Sequence, residues 1–310
     1  MLSNIANRMF PSEADALRPR LACEITSAGV VAGRPGDTVQ EVVSSFAALR
    51  PGVLAAGLKP PNFTDRAAVA TALRQALDEI RVKDNKITVI IPDAAVRVLL
   101  LDFDTLPTKA TEALPIIRFR LRKLVPFEVD DAAISYQLMP GKPGLVRVIA
   151  AVSPAAVLAE YESAVREAGY EPGAVLPSTL AALAAVGSGE PALVINRNGS
   201  SVTTAITRQN ELLLHRTLEL TEKDWLPEEN SFHAAEELQQ SVSVAVAYFE
   251  DTLETPPRQL LSCGPGGPQE LIRLLGDDEN IPIRDLVPTP HKNKAMPEGI
   301  LAGVVGALAN

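Results

Sequence analysis

Histidine, cysteine and the large aromatics are scarce in this chain, and each scarcity closes off a class of chemistry. The 310 residues hold three histidines, His215, His233 and His291, and none has metal-ligand spacing with another or with a cysteine. The two cysteines, Cys23 and Cys263, lie far apart, each at the end of an apolar run, which predicts buried thiols in a reducing cytoplasm. Basic residues are a minority, 29 Lys and Arg against 38 Asp and Glu, and a formal charge of −9 argues against a nucleic-acid role. No apolar run approaches the ~20 residues that span a bilayer, and the C-terminal ILAGVVGALA is half of one. The opening MLSNIANRMF is too short and polar for a signal peptide. Neither a G-x-x-x-x-G-K-[ST] loop nor a G-x-S-x-G elbow occurs, and Gly264-Pro-Gly-Gly-Pro268 lacks the last glycine of G-x-G-x-x-G. Asp102 with Asp104, and Asp130 with Asp131, read as strand-end and turn residues in water.

What is present is an alternation of strands and helices in two sets, with hydrophobic content of 46%, enough for real cores. Strands are predicted over Arg20–Ile25, Gly29–Arg34 and Thr38–Phe46, then a helix over Phe63–Arg81 with Thr64 or Asp65 as its cap. Lys86–Ile91 and Val96–Phe103 are rich in β-branched residues and Leu. Lys109–Val125 reads as a helix with Leu114, Ile117, Leu121 and Leu124 on one face, Pro115 in its first turn and Pro126 as its stop. Strands Ala132–Leu138 and Leu145–Val152 flank Met-Pro-Gly-Lys-Pro-Gly. Ser153 then caps a helix, followed by a short strand Ala174–Leu176 and a helix from Ser178. The second set begins at Pro191 with three strands, turning at Asn198-Gly199 and Gln209-Asn210. A long helix over His233–Leu253, a strand Gln259–Cys263 and helices Gln269–Leu275 and Pro297–Ala309 complete it. The last helix, with Ala302, Gly303, Gly306 and Ala307, is suited to close packing on another helix.

Several short markers, in order, carry a resemblance: Ile91-Pro92-Asp93, Leu106-Pro107, Pro126-Phe127, Tyr136-Gln137, the stretch REAGYEP from Arg166 to Pro172, and Arg216-Thr217. In this order the chain resembles the PilM family of type IV pilus assembly proteins, over about residues 20–308. That family is similar to the cell-division protein FtsA and to the cytoplasmic domain of the secretion protein GspL. The resemblance implies an α/β fold of two actin-like lobes, with an inserted α+β subdomain and a reduced second lobe. Residues 18–83 and 173–190 would form the first lobe, 84–172 the insert and 191–310 the second lobe, whose last helix returns to the first.

The resemblance also locates a nucleotide cleft between the lobes, with glycine turns for the phosphates and acidic residues for Mg²⁺. Here Glu24 and Thr26 replace the first hairpin's aspartate and glycine. Asn196 and Asn198 do so in the second, where Gly199 and Ser200 serve only after a slip in register. Leu176-Pro177-Ser178 stands where an acid is frequent. Gly264, Gly266 and Gly267 keep the last element. Between Leu220 and His233 a short acidic loop replaces a larger subdomain. The expectation is therefore a non-enzymatic scaffold with no catalytic or metal residues and no cofactor, ATP and Mg²⁺ staying open with an actin-like ATPase or switch as the alternative. A GspL-like type II secretion platform is a further alternative. The partner implied is a PilN-like inner-membrane protein whose short cytosolic tail docks on the insert, with self-association left open. Arg118, Arg122 and Phe127 are the candidate partner-binding residues, and the strand Lys86–Ile91 with the helix Lys109–Val125 the candidate wall. Arg118, Arg120, Arg122 and Lys123 together read as a solvated face, or as one meeting anionic lipid or an acidic partner. The implied place is the inner face of the inner membrane, reached through that partner.

Overall fold

The computed structural model describes residues 19–38, 41–80, 84–140, 144–187, 189–209, 211–220, 231–276, 281–288 and 296–309. The acidic loop after Leu220 lies outside them for residues 221–230.

The first lobe opens with β1 (Ala22–Ile25), β2 (Gly29–Pro35) and β3 (Val42–Ala48), an antiparallel meander, followed by α1 (Arg66–Ile80) and β4 (Lys86–Ile91). Asp65 caps α1, its carboxylate accepting the Ala68 N–H at 3.0 Å, and Val69, Ala72, Leu73, Ala76, Leu77 and Ile80 form the buried face. Strand β4 runs parallel to β1 on one side and to β8 (Glu171–Pro177) on the other, giving the order β3-β2-β1-β4-β8. Its sequence KITVII is apolar on both faces because both faces are covered.

A 3₁₀ turn (Asp93–Ala95) leads from β4 into the insert: β5 (Arg97–Phe103), α2 (Ala110–Leu121), β6 (Ala132–Met139) and β7 (Val146–Pro154). These strands form their own sheet in the order β5-β7-β6, with Ile117 and Leu121 of α2 buried against Leu101, Ile134, Val148 and Ala150. The chain returns through α3 (Ala155–Glu167) and β8 to α4 (Ser178–Leu183).

The second lobe is β9 (Ala192–Asn198), β10 (Ser201–Arg208), β11 (Glu211–Glu219), α5 (Ser231–Leu253), β12 (Leu260–Cys263), α6 (Gly267–Leu275) and β13 (Ile283–Asp285). Its order β11-β10-β9-β12-β13 repeats the first sheet, antiparallel in the meander and parallel across β9, β12 and β13. The final helix α7 (Ala302–Leu308) crosses back and packs Ile300, Leu301 and Val304 with Ala22, Val31 and Ile90 of the first lobe. Gly306 permits this, since a Cβ there would lie 2.0 Å from the Ala181 carbonyl oxygen of α4.

Four local expectations are corrected. Pro115 lies inside α2, and the helix ends at Leu121, five residues before Pro126. Leu124 is beyond the helix and 47% exposed, so it is not part of the buried face. Ser153 belongs to β7 and gives its hydroxyl proton to the Ala95 carbonyl at 2.8 Å, while Pro154 occupies the start of α3 without a side-chain cap. The strand Lys86–Ile91 is paired on both sides and has no edge to offer a peptide.

Candidate functional site

Five buried polar side chains meet between the lobes. Glu24 comes from β1, Asp93 from the turn after β4, Ser178 and Thr179 from the start of α4, and Asn196 from β9; none is more than 4% exposed. Ser178 Oγ donates to Glu24 Oε1 at 2.5 Å. Asn196 Nδ2 lies 2.8 Å from Ser178 Oγ, 3.0 Å from Thr179 Oγ1 and 3.2 Å from Asp93 Oδ2. Thr179 donates its backbone N–H to Asp93 Oδ1 at 3.1 Å and its hydroxyl to Oδ2. Burial pushes the Glu24 carboxyl up to about 8; the Ser178 hydrogen bond opposes that and the Asp93 charge adds to it. Glu24 is thus linked to the second lobe through the Ser178 hydroxyl and the Asn196 amide, with the backbone of α7 close against Oε2 at Gly303.

The two hairpin turns close on each other beside this network. Thr26 and Gly29 bond each other through the backbone, and the Thr26 hydroxyl donates to the Gly29 carbonyl at 2.8 Å. Across the cleft, Asn198 Oδ1 accepts the Ser27 backbone N–H at 2.9 Å. A Cβ on Gly199 would make ordinary contact with Ser27 Cβ at 3.4 Å, so about one methyl group fits between the turns there. The donor that would face a phosphate on the first hairpin thus already has an acceptor, and no gap for a phosphate separates the turns there.

The glycine-rich turn after β12 is also engaged. Gly264 N–H donates to the Gly299 carbonyl at 2.9 Å and Gly266 N–H to the Glu298 carbonyl at 3.2 Å. Gly264 has φ +91°, and a Cβ there would come within 1.9 Å of the Arg197 carbonyl oxygen. The two hairpin turns, through Ser27, Ala28, Asn198 and Gly199, border a cleft of about 950 Å³. Leu49, Pro51 and Leu54 form one wall, and Arg197, Glu270 and Arg273 stand on the other. Glu270 bridges the two arginines, 3.3 Å from Arg197 Nη1 and 2.8 Å from Arg273 Nη2. Ser200 lines the same cleft. In this arrangement the Ser27 N–H is engaged by Asn198 and is not free to meet a phosphate. Among the described residues no group of three or more His, Cys, Asp or Glu is placed to hold a metal ion.

The structure links Glu24 and Asn196 through the Ser178 hydroxyl and sets Thr26, Asn198, Gly199, Ser200, Gly264, Gly266 and Gly267 around them. Sequence reasoning assigned no site role to Asp93, Thr179 or the Arg197–Glu270–Arg273 chain. The signals were there: an aspartate ending an apolar strand, and an arginine alternating with Asn196 and Asn198 on β9. Cys23 and Cys263 are buried free thiols, and burial raises both pKa values.

On the insert, Arg118 reaches back to the Asp130 carbonyl at 3.0 Å and also to the Val129 carbonyl. Arg122 pairs with Asp130 at 2.5 Å on the surface. Phe127 is half-buried in a shallow pocket of about 470 Å³, lined also by Arg122, Val125, Pro126, Glu128 and Val129. Within the described residues β6 pairs with β7 alone and leaves its other edge free. The opposite edge strand, β5, leans on the second lobe through the Arg97–Glu219 ion pair.

The chain matches no protein-family model and no curated protein sequence. A chain of the PilM-PilN type IV pilus biogenesis complex superposes with a TM-score of 0.69 at 19% identity, over 94% of this chain and 98% of that one. The fold is PilM-like. It is the two-lobed actin-like α/β architecture, insert included. The cytoplasmic domain of EpsL, an inner membrane component of the type II secretion system of Vibrio cholerae, is similar more distantly, with a TM-score of 0.51 at 13% identity over 94% of each chain. Among the described residues no helix is long and apolar enough to cross a membrane.

Proposed function

We propose that this protein is a non-enzymatic cytoplasmic scaffold of a type IV pilus or related envelope machine, which holds the cytosolic tail of a PilN-like inner-membrane protein. The observation that carries this reading is the PilM-like fold over 94% of the chain, insert included. It is supported by the closure of the inter-lobe turns through Asn198 and Ser27, which removes a phosphate donor and favours a fixed shape over a nucleotide cycle. The free edge of β6 and the Phe127 pocket supply the two ingredients of tail capture: unpaired main-chain groups for an extended peptide, and a recess for one of its side chains. Arg122 borders that recess.

The test is a fluorescence titration of a synthetic peptide copying the cytosolic tail of the PilN-like protein from the same genome. Saturable binding is expected, with Phe127→Ala and Leu138→Arg each weakening it about tenfold or more. Absence of binding, or variants that bind as the parent does, overturns the docking site. The volume of the inter-lobe cleft favours one second reading, a nucleotide-responsive switch, because about 950 Å³ lies within the range of small-molecule sites. That reading predicts tail binding that changes with Mg-ATP; the scaffold reading predicts that it does not.

A further inference from the structure

We propose that the outer face of α2 rests on an anionic phospholipid surface, giving the insert a membrane contact of its own. Three large apolar side chains stand out there: Phe119 is 67% exposed, Leu124 47% and Ile116 40%. Ile116, Phe119 and Arg120 follow at helical spacing and share one face of α2, and Lys123 and Leu124 lie in the turn that directly follows it. The cations on that face differ from their neighbours. Arg118 is spent on the Asp130 and Ala132 carbonyls, and Arg122 on Asp130. Arg120 and Lys123 make no ion pair within the described residues and are exposed. A chain with a formal charge of −9 thus presents a local positive face with apolar tips.

That combination favours a bilayer interface. Long basic side chains keep their charges among headgroups while the apolar tips beside them sink to the acyl boundary. The other exposed large apolar side chains among the described residues lack these cations. Tyr248 lies on α5 one turn from Asp251 and Val244 two turns from it, and Leu138 lies on β6. The overall negative charge would repel such a surface, so contact depends on this patch and is confined by screening to about 10 Å at 0.1 M salt.

The experiment is co-sedimentation of the purified full chain with vesicles of phosphatidylcholine alone and of phosphatidylcholine mixed with phosphatidylglycerol. The vesicles carry no protein, so the outcome is independent of tail docking. Binding is expected only to the anionic vesicles and is expected to fall with added salt. Each basic residue near a charged surface contributes about fivefold to partitioning, so the double variant Arg120→Ser, Lys123→Ser should bind roughly 25-fold less. Phe119→Ser should lose about tenfold through its apolar area, and Val244→Ser should bind as the parent does. All four positions are exposed, and unchanged unfolding midpoints verify that the fold survives. Equal binding to neutral and anionic vesicles, no binding to either, or a double variant that binds like the parent overturns the proposal. Vesicle-independent self-association that Phe119→Ser abolishes overturns it too, and assigns the ridge to a second copy of the chain.

Discussion

The two lobes share one strand order and fill the equivalent positions with different chemistry. Glu24 of β1 pairs in register with Ile90 of β4, and Asn196 of β9 pairs with Cys263 of β12, so Glu24 and Asn196 are counterparts. By the same register Thr26 corresponds to Asn198, and Ile91 to Gly264. The first lobe thus places a carboxyl at the joint, turns its hairpin with a hydroxyl and continues β4 with a bulky apolar residue. The second places amides at both hairpin positions and a glycine after β12. The difference is complementary. The Asn196 amide reaches the hydroxyls and carboxylate held by the first lobe, and the Asn198 carbonyl oxygen takes the first lobe's Ser27 N–H. A duplicated fold has become a joint by giving each half the group the other lacks.

The sharpest way to break this comparison is at Gly264. Its φ of +91° and the 1.9 Å approach to the Arg197 carbonyl leave no room for a methyl group. Gly264→Ala should cost about 3–5 kcal/mol of unfolding free energy, read by urea denaturation. The Ile91 counterpart is a core side chain, where truncation to Ala leaves a cavity instead and should cost about 2–4 kcal/mol. A Gly264→Ala chain as stable as the parent would mean that the turn after β12 does not bear on the joint.

Next in size is the carboxyl at the joint. Glu24 is raised from 4.5 to about 8 in the folded chain. Between those values the unfolded chain has lost the proton and the folded chain keeps it. Its contribution is complete below pH 4.5 and is lost as pH rises through about 8, by at most about 1.4 kcal/mol per pH unit. Glu24→Gln has no proton to lose. The stability of the variant relative to the parent should therefore climb with pH across this window, to roughly 4 kcal/mol by pH 8. Asp285, raised from 3.8 to about 6, slopes the same way in both chains and cancels in the difference. A flat difference between pH 5 and 8 would show that Glu24 is ionised at the joint.

Much of this architecture was legible because it is local. Asp65 before an apolar 3.6-residue pattern marks α1, and two strand triplets with turn residues mark the meanders. Two features misled for physical reasons. Pro115 was expected in a first turn but sits within α2, where tertiary packing of Ile117 and Leu121 holds the helix around it. Lys86–Ile91 is a candidate wall for a partner peptide, although an unbroken apolar run is the signature of a parallel strand covered on both faces. The three-residue strand β13 gave no signal at all. At the site, the substituted hairpin residues could be read from the sequence, but their use could not: Asn198 and Ser27 are 171 residues apart, and only the fold brings an amide oxygen to that N–H.

The smallest expected effect follows from that hydrogen bond and decides between scaffold and switch. Removing it by Asn198→Ala leaves the Ser27 N–H without its acceptor and should cost about 1 kcal/mol, typical of one neutral hydrogen bond. Mg-ATP should add nothing to the unfolding free energy of the parent chain, because the turns stand too close to admit a phosphate. A ligand at a hundredfold excess over its dissociation constant adds about 2.7 kcal/mol, so millimolar Mg-ATP would reveal any site with an affinity of about 10 μM or tighter. Stabilisation of the parent by that amount would require the hairpins to part and the Asn198–Ser27 bond to break, and the joint between the lobes would then be a hinge.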